Sequence, residues 1–309
     1  MGLRRRISNF IAGKLMLASA SFSGLLVIAV GTALYLRSRP LLQGASIKDL
    51  VFGSTWQPSA GQFGLRPFIV GTLWVTGLAV VLAVPLCIFA SIYLSEYANS
   101  RVRMTVKPII DLLAGIPSVV YGVWGVLVIV PFISDILGPF AQARLGRVSF
   151  LRCEYTTGYC ILAGGIVLAI MIIPVIVSVS EEVLRAVPVE CREASYALGA
   201  TRMETITKVV VRKAMPGLVA AVVLGLSRAL GETMAVLMVV GNVAELPHSI
   251  FDAAYPLPAL IANNYGEMMS IPKYDSALLF ASLVLLMIVL LLNLLARAAL
   301  LRSVREEAI

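Results

Sequence analysis

Residues 160–179 read CILAGGIVLAIMIIPVIVSV, twenty consecutive positions without a charge. A hydrocarbon layer about 30 Å thick is crossed by about 20 such residues in a helix. A helix is required, because lipid offers no partner to an unpaired backbone N–H or C=O. Five further stretches have the same character, at roughly 15–36, 68–94, 112–134, 217–242 and 277–301. The whole chain agrees: of 309 residues 59% are hydrophobic and only 14% charged, with a mean hydropathy of +0.93. A water-soluble domain of this length has about a quarter of its residues charged. The expected fold is all-α, a polytopic membrane bundle of six transmembrane helices.

The first stretch follows Arg4, Arg5, Arg6 and Lys14, as in a secretory leader. Its apolar run is longer than a leader needs and lacks a clear small-x-small cleavage site, so it reads as a retained helix. Six crossings return both termini to one side. That side holds the four basic residues just named, Arg101, Arg103 and Lys107, the basic residues between Arg185 and Lys213, and Arg297, Arg302 and Arg305. It carries twice the Lys and Arg of the opposite loops, which places both termini in the cytoplasm. The net charge of +8 then reflects anchorage to anionic membrane lipids and calls for no nucleic acid. The chain divides into 1–66, comprising the N-terminal tail, first helix and first outer loop, and 67–309, a five-helix core with a cytoplasmic segment at 180–216. Cys87 and Cys191 are expected to stay reduced. Cys153 and Cys160, near the outer end of the fourth span, either pair as a disulfide or stay free.

Catalysis within this chain is not expected. There is no G-x-x-x-x-G-K-[ST] phosphate loop, so ATP hydrolysis is not expected on this polypeptide. The lone histidine, His248, has no partners at metal-ligand spacing, and no G-x-S-x-G nucleophile setting occurs. No cofactor or metal is expected in the chain. Any active transport draws its energy from a partner or from an ion gradient.

The longest cytoplasmic segment, 180–216, is also the most structured. Pro188 suits a first helical turn, Val189 to Leu198 are mostly good helix formers, and Gly199 supplies a left-handed stop. Thr201 and Glu204 have capping-box spacing for a second helix. Ala194, Tyr196, Ala197 and Leu198 form one small surface able to dock in a groove of another protein or to lie at the headgroups.

The fifth stretch carries charges where none is cheap. Arg228 and Glu232 lie at i and i+4, on one face if the helix runs unbroken, with Ala221, Gly225, Ala235 and Asn242 continuing the stripe. A charge at the bilayer centre costs at least about 2.5–3.5 kcal/mol. Two readings stand: a self-neutralising structural pair, or an anion site. In the second, the Arg228 fork matches two oxyanion oxygens, and Glu232 orients it or accepts from the P–OH of hydrogen phosphate. Earlier in the chain, Pro117 can bend or break the third helix, and Ser118 beside it is a weaker candidate for substrate contact. Asp252, Asn263, Asn264 and Glu267 lie in the last outer loop, as a docking surface or merely solvated.

Several of these motifs resemble one family. Glu193-Ala194-Ser195 with Gly199 is similar to the E-A-A-x-x-x-G loop of ABC importer permeases. That resemblance implies a type I ABC importer permease fold, with Glu193, Ala194, Ser195, Tyr196, Ala197, Leu198 and Gly199 as the coupling helix that seats on an ATPase. The family's Leu-Pro about a dozen residues after the glycine is absent; Val211-Arg212 stand there and the proline is Pro216. Residues 228–242, RALGETMAVLMVVGN, resemble the signature span of phosphate-specific ABC permeases. Residues 111–125, DLLAGIPSVVYGVWG, resemble the start of their third helix. Trp56, Pro58, Phe63, Gly64, Pro67, Gly71 and Thr72 resemble the approach to their second. Together they favour the C-type subunit. The resemblance implies a channel-forming subunit of an ATP-driven phosphate importer in a prokaryotic inner membrane, working by alternating access, with Arg228 and Glu232 in translocation. Implied partners are a homologous second permease, an ATPase dimer that holds ATP and Mg, and an extracytoplasmic phosphate-binding protein. An importer of another oxyanion, such as sulfate or molybdate, keeps the coupling segment without needing Glu232; a gradient-driven carrier needs no ATPase.

Overall fold

A computed structural model describes residues 2–144, 149–151, 153, 157–266, 271 and 273–306. Among them six helices are long and apolar enough to cross a membrane. Span 1 is Phe10–Leu42, span 2 Arg66–Tyr97, span 3 Ser118–Arg144, span 4 Ile161–Arg185, span 5 Arg202–Leu230 and span 6 Tyr274–Ala298. The protein is a multi-pass membrane helix bundle.

Two spans depart from the boundaries expected of the sequence. Residues 112–114 belong to a separate amphipathic helix, Ser100–Ala114, capped by the Asn99 side chain accepting from Val102 N at 2.9 Å. Span 3 starts only at Ser118, because Pro117 disfavours helix at the residue before it and sits outside the new helix as its cap (ψ 139°). The fifth span does not run to 242. It begins at Arg202, ends at Leu230, and a short helix, Met234–Val239, resumes after a three-residue break.

Span 4 is the axis of the bundle, with 67% of its most apolar stretch buried. Spans 2 and 5 pack along it through small residues, which let membrane helices approach closely. A Cβ on Gly165 would lie 2.7 Å from Leu78 Cδ2, and one on Gly225 2.5 Å from Ile176 Cγ1. Span 1 stands outside this core with none of its most apolar stretch buried.

After span 1, the first loop forms a small antiparallel hairpin pairing Trp56–Gln57 with Gln62–Phe63. Trp56 packs edge-on against Phe63, Phe68 and Tyr274, with ring centroids 5.0–6.1 Å apart. The last loop dips back into the protein as the helix Leu257–Asn264, whose first residues are buried. The Thr72 hydroxyl accepts from Leu257 N at 2.9 Å. The motif residues before and within span 2 thus join the outer loops to the bundle.

Candidate functional site

The break after Leu230 rearranges the two charges of span 5. Glu232 N donates to Ala229 O at 3.3 Å as the helix closes. The Glu232 carboxylate then accepts from Ala235 N at 3.2 Å, capping the helix Met234–Val239. An acid at a helix start meets unpaired N–H groups and the positive end of the dipole. The shared helical face expected for Arg228 and Glu232 is therefore not formed, and no ion pair joins them among the described residues. The small-residue stripe also divides. Ala221 and Gly225 are buried, Gly225 against Ile176 of span 4, whereas Ala235 packs by Gly122 of span 3. Asn242 adopts a left-handed backbone (φ 55°) and donates to Leu237 O at 2.8 Å.

Arg228 lies at the edge of the packed face and is exposed on this chain. Its one protein hydrogen bond among the described residues runs from Nη2 to Ala114 O at 3.5 Å, in the last turn before the second break. Tyr121 secures the same turn by donating to Leu113 O at 2.8 Å. Half-buried Ser118 begins span 3 directly beyond it. Two interrupted helices thus meet at Arg228. A guanidinium has five N–H donors, and this one is exposed on its own chain. Such a fork can take two oxygens of an oxyanion. Glu232 borders a gap of about 10 Å³ with Thr72, Thr76, Leu168 and Pro256, room for about one water.

The segment between spans 4 and 5 folds as its local signals predict. Val189–Ala197 is a helix. Gly199 ends it at φ +83°, with Ala200 N donating to Ser195 O and Gly199 N to Tyr196 O, the paired closing bonds of a left-handed glycine stop. The Thr201–Glu204 capping box is formed in both directions. Glu193, Ala194, Tyr196, Ala197 and Leu198 are exposed, Leu198 at 90%. Ser195 instead faces inward, its Oγ 2.9 Å from Thr205 Oγ1.

Other residues at this end carried no local signal. Arg192 pairs with Glu96, and Lys107 bridges Glu181 and Glu182 at 3.2 and 3.1 Å. The hydrogen bond that Lys107 donates to Glu182, and behind it the one to Glu181, hold its ammonium above the usual lysine range despite partial desolvation. The only hint in the sequence was an acid at the end of an apolar span.

The candidates in the last loop make local hydrogen bonds. Asp252 accepts from His248 N and Ser249 N at 2.8 and 2.9 Å; Asn263 and Asn264 both donate to the Tyr255 hydroxyl. Glu267 lies outside the described residues. Cys153 and Cys160 do not pair: both are buried free thiols, pushed up by burial, Cys160 to about 11. Among the described residues no group of three or more His, Cys, Asp and Glu could hold a metal.

Comparison with known proteins agrees with this architecture. Residues 83–305 match the family described as binding-protein-dependent transport system inner membrane component. The phosphate transport system permease protein PstC of Xylella fastidiosa (strain 9a5c) is 36% identical over 94% of this chain and 91% of its own. The probable ABC transporter permease protein YqgH of Bacillus subtilis (strain 168) is 42% identical over 83% of this chain and 79% of its own. Among solved structures, a bacterial alginate ABC transporter superposes with a TM-score of 0.60 at 16% identity, covering 96% of both chains. The MetNI methionine ABC transporter gives 0.52 at 22%, covering 78% of this chain and 94% of that one. The solved structures share the type I importer permease fold; the curated relatives share sequence across most of the chain, and the protein belongs to the family of inner membrane components of binding-protein-dependent transport systems.

Proposed function

We propose that this chain is a channel-forming permease subunit of an ATP-driven importer of inorganic phosphate. The observation that carries the reading is Arg228, a permanent cation exposed where two broken helices meet, in a chain whose relatives include permeases named for phosphate transport. An arginine deep in a membrane protein is costly unless its N–H groups find acceptors. Here the protein supplies one carbonyl and leaves the rest to a passing oxyanion. Glu232, half-buried and fixed by its capping bond, is the neighbouring acceptor for the hydroxyl of hydrogen phosphate, which fully ionised sulfate lacks.

A permease of an ABC importer works with an ATPase and a substrate-binding protein. The exposed surface of Glu193, Ala194, Tyr196, Ala197 and Leu198 is the seat for the ATPase, which holds ATP and Mg. A homologous second permease completes the passage by facing Arg228, and both termini lie in the cytoplasm. ATP-driven closure of the ATPase moves the cytoplasmic helix and opens the Arg228 region to one side and then the other.

The test is ATP-dependent phosphate uptake in vesicles carrying the whole assembly. Arsenate should compete and sulfate should not; uptake insensitive to arsenate but blocked by sulfate or molybdate would reassign the substrate. Uptake that proceeds without an ATPase would remove the importer reading.

A further inference from the structure

The cytoplasmic joint contains a cluster that substrate handling does not use. Glu96, at the end of span 2, meets Arg192 of the helix Val189–Ala197 through two contacts. Arg192 Nη2 lies 2.7 Å from Oε1 and Nε 3.3 Å from Oε2. Both side chains are nearly enclosed, at 9% and 16% exposure. The same guanidinium donates to Leu184 O at 3.0 Å and to Val187 O at 2.6 Å, closing the cytoplasmic end of span 4. From the other side Arg202, the first residue of span 5, donates to the Glu96 carbonyl and lies 4.4 Å above the Tyr97 ring. One carboxylate and two guanidiniums therefore gather spans 2, 4 and 5 and the cytoplasmic helix.

The backbone is shaped for this gathering. Span 2 ends in a wide turn, Tyr93–Tyr97, closed by Ala98 N donating to Tyr93 O at 2.8 Å. One extra residue in a helical turn rotates the succeeding residues by about 100°, and single wide turns of this kind concentrate at functional sites. A second wide turn, Thr205–Val210, opens span 5, and its buried Thr205 holds Ser195 of the cytoplasmic helix. An enclosed ion pair adds little net stability, since desolvation offsets attraction. What it does add is geometry.

We propose that Glu96 is a positioning residue for transport. Its carboxylate, held by Arg192, makes the cytoplasmic end of span 2 and the helix Val189–Ala197 one rigid body, while Arg202 ties span 5 to the Glu96 main chain. A displacement of that helix then travels up span 2 to Thr72 and Thr76, which wall the gap beside Glu232. The proposal rests on the reading that the helix docks on an ATPase.

Glu96→Gln keeps the side chain's size and one acceptor oxygen but removes its charge. In the assembled transporter it should retain the ATPase and hydrolyse ATP while phosphate uptake per ATP falls about tenfold, the scale of a typical coupling between sites. An unchanged ratio of uptake to hydrolysis overturns the proposal. Spin labels at Tyr93 and Glu190, both exposed and outside the cluster, give a measurement that needs no altered cluster. Their separation should be the same in nucleotide-free and vanadate-trapped complexes; a change on trapping overturns the rigid body even if Glu96→Gln fails to assemble. Leu198→Asp separates the two ideas. If it keeps the ATPase, the docking reading falls and takes this one with it. If it loses the ATPase while Glu96→Gln keeps the wild-type ratio, only the role of Glu96 falls.

Discussion

Arg228 and Arg192 are the same side chain in opposite company. Arg192 is nearly enclosed and donates to both oxygens of Glu96 and to the carbonyls of Leu184 and Val187. Arg228 is exposed and reaches a single carbonyl at 3.5 Å. Their acidic neighbours differ in the same way, since Glu96 faces its arginine whereas Glu232 turns away to cap a helix. A guanidinium whose acceptors are built in holds structure together. One with a single acceptor in its own chain is, on the proposed function, the group that takes its others from the substrate.

The contrast makes unequal predictions. Arg228→Gln should lower phosphate uptake on the order of a hundredfold or more, because two hydrogen bonds to a charged group are each worth about 1.5–3 kcal/mol. Assembly and melting temperature should be unchanged; a variant that melts early yet transports normally would erase the distinction. Arg192→Ala, by contrast, should cost about 3–5 kcal/mol of stability, by leaving Glu96 enclosed without its partner. Chemical denaturation in detergent followed by tryptophan fluorescence reads that loss, and a cost below about 1 kcal/mol would put the two arginines in one class. Gly225→Val lies between them. Its added carbon meets Ile176, overpacking costs about 1–3 kcal/mol, and span 5 shifts with Arg228 on it. Stability and uptake should fall together, unlike in Arg228→Gln.

The smallest effect is expected at Lys107, whose side chain is 35% exposed. Lys107→Met should cost less than about 1 kcal/mol, because Arg185 still pairs with the enclosed Glu181 and the Lys107–Glu182 pair is screened by solvent. Glu182 and Glu181 raise this ammonium in the folded protein. A raised lysine contributes fully below its unfolded pKa of about 10.4 and loses that contribution only as pH rises through the folded value. Denaturation curves of wild type and Lys107→Met should therefore keep a constant gap near neutral pH and converge only in strong alkali.

What could be read from the chain was local. Apolar runs long enough to span lipid gave the helices, and Gly199 with Thr201 and Glu204 gave the cytoplasmic turn, because each signal lies within a few residues of its effect. The end of span 5 was not legible. Gly231, Glu232 and Thr233 contain no proline; Gly231 is a poor helix former, but a lone glycine is tolerated inside helices and does not by itself announce a break. Pro117 showed that the third helix could be interrupted, but not that Arg228 would face the interruption. The Glu96–Arg192 contact joins residues far apart in sequence, beyond the reach of any local pattern.

Span 1 has one more consequence. Its 33 residues rise about 1.5 Å each and extend for roughly 50 Å, while the hydrocarbon layer measures about 30 Å. The surplus must tilt or stand clear of the lipid. Its far end carries Arg37 and Arg39, and Leu41 beside them is buried with Leu50 and Phe63. With two arginines on it, that end is cheaper outside the hydrocarbon than within it, and the Trp56–Phe63 hairpin is moored to it.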